Sequence, residues 1–420
     1  MVSCRSLLSV LLIPSLMVVL GAPLFAEDQA PPQADDPLPP TGPTRVISTG
    51  HPPAAYTNRN GAGRKRCVAT YGGNQASERA VEAGLRWLAL HQSEAGAWDV
   101  DGHPEACPEA GAKVEPGSGL IGPEGDVLAT AEAMLAFLSA GYDHSSPNLY
   151  KRMLRRSVDW LLSVQAADGS FCRHLTAHCR ATQALAEAAG MAQDKALAEP
   201  LDRALGHLLR QRSVQEPRVW GMSPDRIDIA DTLSATRCLL AAQAAGHDAR
   251  QELAGARNWL AEAQAALPAG APLPAGWGRD GTPLPTTAGS AGAAWALAVL
   301  LGLGTEQAPF HHSATATAAV EPALPPATPT AMACAGARSE VFLYLFHHGI
   351  DERWLTWNQR LRDSLTAQQV RDPGCFAGSW AMDASASSGE EDRIGRLLGT
   401  SRAIRCLQVY YNFPRWLRIS

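Results

Sequence analysis

Gln92-Ser-Glu-Ala-Gly96-Ala-Trp98 decides the fold, because this stretch recurs along the chain. A close copy is Gln165-Ala-Ala-Asp-Gly169-Ser-Phe171, and weaker copies lie at Trp220-Gly221, at Gly276-Trp277-Gly278, and from Gln368-Gln369 to Gly378-Ser-Trp380. Each copy follows a segment with the apolar spacing of a helix. A repeat of about 50 residues fits two helices with their turns. We therefore predict a chain built from repeated helix pairs.

The apolar periodicity predicts an all-α fold in which two kinds of helix alternate. Ser77–Gln92 is amphipathic and charged, whereas Ala291–Gly304 is almost entirely small or apolar and must be buried on most sides. Outer helices of the first kind around inner helices of the second kind, closed into a ring, give an α/α toroid of about six helix pairs. The predicted helices span 76–91, 126–141, 149–165, 177–190, 194–211, 231–245, 249–265, 287–303, 338–348, 352–369 and 395–411, and 305–320 is left open as a twelfth.

The recurring stretch has a structural explanation. Glycine permits the tight turn after a helix, glutamine can bond backbone groups at neighbouring helix ends, and tryptophan covers the junction. We therefore expect these residues to join the repeats rather than to carry chemistry.

The composition excludes several classes of protein. The chain has 420 residues, of which 46% are hydrophobic and 18% charged, with a net charge of -5 and a pI near 6.2. Disorder needs low hydrophobicity and high net charge, and a collagen needs a glycine at every third position. A nucleic-acid partner is not expected, because there is no excess of basic residues.

The N-terminal residues have the features of an export signal. Residues 1–26 carry an apolar stretch after Arg5 and end in Ala-Pro-Leu-Phe-Ala, which predicts a signal peptide. An uncleaved anchor is the alternative, and it provides the only membrane contact that we expect. Residues 27–66 are rich in proline and predict a disordered linker, and 67–420 form the toroid. Either reading places the folded part outside the cytoplasm, in the periplasm or at the cell surface.

Eight cysteines remain after the signal, which permits one or two disulfides in an oxidising compartment. Two pairs that are near in sequence are candidates, Cys67 with Cys107 and Cys172 with Cys179. Cys238 and Cys406 lie in apolar helical runs and are expected to be buried thiols.

These residues resemble the prenyltransferase and squalene oxidase repeat superfamily, the toroid of squalene and hopene cyclases and of protein prenyltransferase β subunits. The likeness covers about 75–411 and is strongest to a bacterial exported branch. It rests on Asp168-Gly-Ser, His178 to Thr182, Asp231-Thr-Leu-Ser, Trp357-Asn358 with Arg362-Asp363, Gly378-Ser-Trp380 and Leu407-Gln-Val-Tyr-Tyr411. The resemblance implies the toroid more firmly than it implies an activity.

The motifs of the active members of that superfamily are absent or altered. Squalene and hopene cyclases use a D-x-D-D motif, and here Asp228-Ile-Ala-Asp231 is the nearest carboxylate pair. Asp231 begins an inner helix, so capping of the helix amide groups is its favoured role and chemistry in a cavity is the alternative. Asp372-Pro-Gly-Cys375 resembles the zinc ligands of protein prenyltransferases, but its spacing is one residue too long. No cofactor is expected. Phosphate loops, a G-x-S-x-G elbow and an H-E-x-x-H motif are also missing from the sequence.

The polar residues predicted near the inner helices form the candidate site. His178 is the preferred general acid/base, with Asp231, Asp228 and Glu340 as further catalytic candidates. Caps and core hydrogen bonds are the alternative role for all of them. Cys172, His174, His178 and Cys179 form a weak candidate zinc site. The residues expected to line a central cavity and bind ligand are Asp126, Tyr344 and Arg396.

Three functions remain open from the sequence. The first is an exported toroid that binds an apolar, isoprenoid-like or elongated ligand, or an envelope protein, without catalysis. The second is a terpene cyclase or prenyl-handling enzyme, an isomerase or lyase that uses acids other than D-x-D-D. The third is a carbohydrate-active α/α-toroid enzyme, although most tryptophans lie in repeat junctions rather than on a sugar-stacking surface.

Overall fold

The computed structural model describes residues 54–103, 120–268, 271–286, 288–303, 352–380 and 395–412. Within these ranges, no helix combines the length and the apolar character needed to cross a membrane. The short strands β1 (Ile227–Asp228) and β2 (Gly276–Trp277) pair antiparallel, with Ile227 opposite Trp277. The helices are α1 Gly61–Tyr71, α2 Gln75–Leu90, α3 Gly122–Ser139, α4 Lys151–Val164, α5 Leu175–Ala192, α6 Ala198–Arg210, α7 Ile229–Ala244, α8 Arg250–Ala265, α9 Ala288–Leu300, α10 Glu352–Gln368, α11 Gly395–Leu407 and α12 Val409–Asn412.

The helices form an inner and an outer layer. α3 packs against α5, α5 against α7 and α7 against α9, while α11 packs against α3 from the other side. These five are the inner helices of the part of the chain that is described, and each follows an outer helix: α2, α4, α6, α8 or α10. The predicted all-α toroid is confirmed. The predicted helix at 338–348 and the open segment 305–320 lie outside the described residues.

The two helix kinds are buried as their sequences predict. Every residue of α3 from Val127 to Ser139 is buried, because most of these residues are small or apolar and the charged one, Glu132, is paired with arginines. By contrast, α4 buries only a stripe, which includes Leu154, Val158 and Leu161, and exposes its charged face. Burial of apolar side chains between the layers is therefore the main source of stability.

The repeat junctions confirm the structural role of the recurring stretch. Gln92 Nε2 donates to the carbonyl of Gly96 in its own turn and to that of Met153 on the next outer helix. Trp98 Nε1 donates to the carbonyl of Leu88, 2.8 Å away. Gly96 has a φ of 98°, and a Cβ there would lie 2.4 Å from the carbonyl oxygen of Arg156. Only glycine fits this turn.

The predicted linker is wrong at its C-terminal part, because residues 54–66 fold. A 3-10 helix spans Ala54–Arg59, and α1 follows it. Arg59 Nη1 donates to the carbonyl of Leu138 at the end of α3 and bonds Glu187 Oε2 on α5 at 2.8 Å. Arg64 bonds Glu78 and the carbonyl of Ala140. We call this segment, residues 54–71, the plug, because it covers the C-terminal ends of inner helices.

Both predicted disulfides are wrong. Cys67, Cys172, Cys179, Cys238 and Cys406 are thiols. Cys172 precedes α5, whereas Cys179 is fully enclosed on the buried side of that helix, beside Cys238 of α7. Cys375 is disulfide-bonded, and its partner lies outside the described residues. Cys238 and Cys406 are buried, as predicted.

Candidate functional site

One hydrogen bond sets the same register on four inner helices. The backbone N–H of the junction aromatic donates to a side chain near the start of the next inner helix: Trp98 to Thr130 at 2.9 Å, Trp220 to Thr232 at 3.2 Å, and Trp380 to Thr400 at 3.2 Å. In the remaining repeat, Phe171 donates to His178 Nδ1 at 3.4 Å. The residues one helical turn earlier therefore occupy equivalent places, and we call them the N-terminal rim: Asp126, His174, Asp228 and Arg396.

The loops at the rim differ greatly in length. Only residues 172–174 separate Phe171 from α5, but residues 99–121 precede α3 and residues 381–394 precede α11. The helices that these two longer segments precede, α3 and α11, are neighbours in the ring. Variable loops on a constant scaffold are where binding and catalytic residues concentrate.

Asp126 is the most perturbed carboxyl of the rim. Its Oδ1 accepts the backbone N–H of Val100 at 2.9 Å. Burial, together with the nearby charges of Asp99 and Asp101, raises its pKa to about 6. The three carboxylates each place one oxygen within 4.8 Å of the others, which is close enough to share a hard cation such as Ca²⁺. Acidic side chains also cluster at surfaces that bind no ion, and what the geometry establishes here is one half-buried acid, Asp126, beside two further carboxylates.

His178 does not have the geometry of the predicted general acid/base. Its Nδ1 accepts the Phe171 N–H, and its Nε2 lies 3.1 Å from the carbonyl of Ala204. The side chain is 1% exposed, and burial lowers its pKa to about 4. His178 takes the place that threonine holds in three other repeats. Both ring nitrogens are therefore engaged by the backbone, as expected for a structural residue.

The weak zinc candidate also finds no support. Among the described residues, Asp99, Asp101 and Asp126 are the only group of three or more potential ligands close enough to share a metal ion. Both nitrogens of His178 are engaged by the backbone, which leaves neither of them for a metal ion. His174 caps α5, accepting the N–H of Ala177.

The Asp228 and Asp231 pair divides into a cap and a buried acid. Asp228 is the N-cap of α7, and its Oδ1 accepts the N–H groups of Ala230 and Asp231. Burial raises the pKa of Asp228. Asp231 is 6% exposed, and its Oδ1 accepts a hydrogen bond from Thr176 on α5. Capping was predicted for Asp231, but the residue that caps α7 is Asp228, three positions earlier.

Arg396 lies at the rim next to the disulfide-bonded Cys375. Its Nη1 donates to Ser379 Oγ at 2.9 Å, and its guanidinium lies over the ring of Phe376 at 4.3 Å. Nearby, His91 Nε2 is 3.2 Å from Cys375 Sγ. The pKa of His91 is lowered by burial and by the charge of Arg396. Glu340 and Tyr344, the other predicted site residues, lie outside the described residues.

The sequence analysis missed a charged cluster midway along the inner helices. Glu132 of α3 bonds Arg180 of α5 at 3.2 Å and Arg405 of α11 at 2.6 Å. Burial alone would raise the pKa of Glu132, but Arg405, Arg180 and Arg402 outweigh it and lower the pKa to about 2. The available signal was the i, i+3 spacing of Arg402 and Arg405, which places both on one face of an inner helix.

No family model and no curated protein sequence matches the chain. Solved structures do match. An inactive α-1,6-mannanase of Salegentibacter sp. HEL1_6 in complex with α-1,6-mannotetrose has a TM-score of 0.53 at 10% identity, covering 79% of this chain and 98% of that one. An unsaturated glucuronyl hydrolase specific for heparin has a TM-score of 0.54 at 12% identity, covering 80% and 97%. A D-mannose isomerase has a TM-score of 0.53 at 11% identity, covering 80% and 96%.

At such low identity these similarities establish the fold alone. They support the α/α toroid over nearly the whole length of each neighbour. None of the three is a squalene cyclase or a prenyltransferase, so the predicted resemblance to that superfamily stays a prediction.

Proposed function

We propose that the chain is a carbohydrate-active protein that binds a saccharide in the central space of the ring, entered from the N-terminal rim. One observation carries this proposal. Along residues 127–139, 177–191, 231–242, 292–300 and 395–407 of the inner helices, the residues that are not buried are Arg180, Arg402 and Arg405. The solvent-facing lining of this part of the ring is therefore charged.

A charged lining favours a hydroxyl-rich ligand over a hydrocarbon. An isoprenoid gains affinity from apolar walls, and packing it against guanidinium groups would remove water from these charges. A saccharide offers hydroxyl groups to such donors. The neighbours with a sugar bound or a sugar substrate in their titles share the toroid, which agrees with this choice. The carbohydrate reading therefore replaces the isoprenoid ligand and the terpene cyclase as the favoured function.

Asp126 is the proton donor of the proposed site. A carboxyl whose pKa is raised to about 6 by burial and by neighbouring carboxylates remains partly protonated near neutral pH. Glycoside cleavage requires such an acid beside the leaving oxygen, with a second carboxyl nearby. Asp99 and Asp101 supply carboxylates at the same place.

The test is turnover of an oligosaccharide panel by the purified protein, with products detected by mass spectrometry. Asp126→Asn should lower turnover at least ~100-fold, because general-acid catalysis contributes ~10²- to 10⁴-fold. Binding of the same sugar should persist. Since the acid must be protonated, wild-type turnover should fall as the pH rises through about 6.

The matched control is His178→Thr, which installs the residue found at the equivalent place in three repeats. Its turnover should stay close to wild type. Undiminished turnover by Asp126→Asn would reject the acid role, and saccharide binding without any turnover would reduce the proposal to a binding toroid. If no sugar binds, the proposal is wrong.

An exported location is part of the proposal. It is supported by the signal-like residues 1–26 and by the disulfide at Cys375, a bond that persists in oxidising compartments. Fractionation of the native host, with intact mass measured before and after reduction, tests it. A reduced protein confined to the cytoplasm would contradict it.

A further inference from the structure

Exposed basic residues gather where α1, α2 and the start of α4 meet. These three helices share a buried polar cluster. Arg64 of α1 bonds Glu78 of α2 at 2.7 Å, and Tyr142, in the loop before α4, donates to Glu82 of α2 at 3.3 Å. The ring of Tyr142 packs against that of Tyr150, the N-cap of α4. The exposed basic residues that flank this cluster, which we call the basic face, are Lys65, Arg66, Arg79, Arg86, Lys151 and Arg152.

The acids of the same segments do not offset the basic face. In residues 61–90 and 140–158 every acidic residue is buried, and these residues are Glu78, Glu82 and Asp143. The two glutamates face Arg64, and the aspartate accepts two backbone N–H groups of its own turn. The first exposed acid of α4 is Asp159, two turns beyond Arg152. Within the described part of the chain, none of the six basic residues forms an ion pair.

The outer helices α6 and α8 use charge differently. Each of them carries two acidic residues and two arginines. On α6, Arg203 bonds Glu199, and at the start of α8, Arg250 bonds Asp248 at 2.8 Å. The basic face is therefore a local excess of positive charge on a chain whose net charge is -5.

The shape of the basic face suits an extended anionic surface. Its charges are spread over three helices, so a flat array of anionic groups can meet them together, and clusters of four to eight basic residues are typical of contacts with anionic lipids. Lys65 and Arg66 belong to the plug, and the N-terminal residues join the fold at Ala54, the first residue of the plug. An apolar stretch that is retained within residues 1–26 would therefore tether the chain to a bilayer from this end.

We propose that the basic face docks the protein on a membrane surface through anionic phospholipid headgroups. This contact is additional to the N-terminal anchor considered from the sequence, and it goes beyond the proposed function. Because α2 and α4 begin at the plugged end and lead to the rim, docking through their first turns would leave the rim facing away from the bilayer.

Flotation of the full chain with lipid vesicles tests the proposal. Vesicles of phosphatidylcholine with ~30% phosphatidylglycerol should give an apparent Kd at least ~10-fold lower than vesicles of phosphatidylcholine alone. The difference should disappear as salt rises from ~50 to ~500 mM, because exposed charges are screened. An apolar N-terminus inserts into both kinds of vesicle, so the difference between them reports the basic face.

Arginine footprinting locates the contact on the protein. Phenylglyoxal should modify Arg66 and Arg152 at least ~3-fold more slowly on the vesicles that contain phosphatidylglycerol than on phosphatidylcholine alone. Arg257, an exposed arginine of α8, should react at the same rate on both.

A matched pair of variants separates this face from net charge. Arg66→Gln with Arg152→Gln should raise the Kd for the anionic vesicles at least ~5-fold. Arg250→Gln with Arg257→Gln removes the same charge from α8 and should stay within ~2-fold of wild type. All four side chains are exposed, so both variants should fold, which thermal melts check.

Three results would overturn the proposal. The first is equal Kd values and equal footprints on the two kinds of vesicle. The second is an equal loss of binding in the two double variants, which would make net charge alone responsible. The third is stronger protection of Arg66 and Arg152 by a soluble acidic polysaccharide, polygalacturonate, than by anionic vesicles, which would assign the basic face to a polysaccharide.

Discussion

The two ends of the ring are built from the same repeats, yet they use charge in opposite ways. At the plugged end, Arg59 and Glu187 bond at 2.8 Å with side chains 1% and 5% exposed, and Arg64 is bonded to Glu78. At the N-terminal rim, Asp126 is half-buried beside two further carboxylates, and its pKa is raised. The plug charges Arg59 and Arg64 are paired and buried, whereas Asp126 at the rim is half-buried and has a raised pKa. The comparison teaches that the plug holds inner helices together, whereas the rim carries an acid that titrates near neutral pH.

The largest loss of stability is expected when one charged side chain of the plug is removed. Arg59→Met should destabilise the protein by about 3–5 kcal/mol, because it leaves Glu187 buried without its cation. Urea unfolding followed by circular dichroism measures the loss. The double variant Arg59→Met with Glu187→Gln should recover most of it. A loss below about 1 kcal/mol for the single variant would mean that the plug does not seal this end.

A smaller loss of stability is expected when the cap of α7 at the rim, Asp228, is removed. Asp228→Ala should cost about 1 kcal/mol, since two backbone N–H groups lose their acceptor. Asp228→Asn keeps the cap and should be nearly neutral in stability. If the asparagine variant keeps the stability but loses saccharide turnover, Asp228 acts in the chemistry as well as in the cap.

The smallest expected change in stability comes from replacing Asp126, and this replacement should stabilise the protein at high pH rather than destabilise it. The pKa of Asp126 is raised above the ordinary value, so its contribution to stability is fully present below pH ~4 and is lost as the pH rises through about 6. Asp126→Asn should therefore match wild type at pH 4 and melt slightly higher at pH 8. Thermal melts at both pH values test this. If Asp126→Asn melted at a lower temperature than wild type at pH 8, the raised pKa of Asp126 would be contradicted.

The sequence predicted the fold well because the fold depends on local signals. The Gln92 to Trp98 stretch and its copies mark the junctions, and the apolar periodicity of segments such as 291–304 identifies inner helices. The plug was missed because Pro-rich sequence precedes it and α1 has no apolar stripe. Arg64 is nevertheless buried there by long-range bonds to Glu78 and Ala140.

The candidate site was harder to predict, because equivalent positions are separated by loops of different length. Trp98 lies far from Thr130 in sequence, whereas Phe171 lies close to His178, and only the shared hydrogen bond reveals the common register. The sequence analysis predicted a catalytic role for His178, although this histidine occupies the place that a structural threonine holds in three other repeats. Glu132 and Arg405 belong to helices at opposite ends of the chain, so their pairing had no local signal.

The account's central claim is that solvent and ligand reach the partly exposed arginines of the inner helices but not the buried arginines of the plug, and arginine labelling tests it most directly. The native protein is treated with phenylglyoxal, and each modified arginine is quantified by peptide mass spectrometry, with the exposed Arg250 as the fast reference. Arg402 and Arg405 should react in the folded protein, and a bound saccharide should slow their reaction. Arg59 and Arg64 should stay unmodified until urea unfolds the chain. Labelling of Arg59 and Arg64 at the rate of Arg250, with Arg402 and Arg405 protected, would contradict the account.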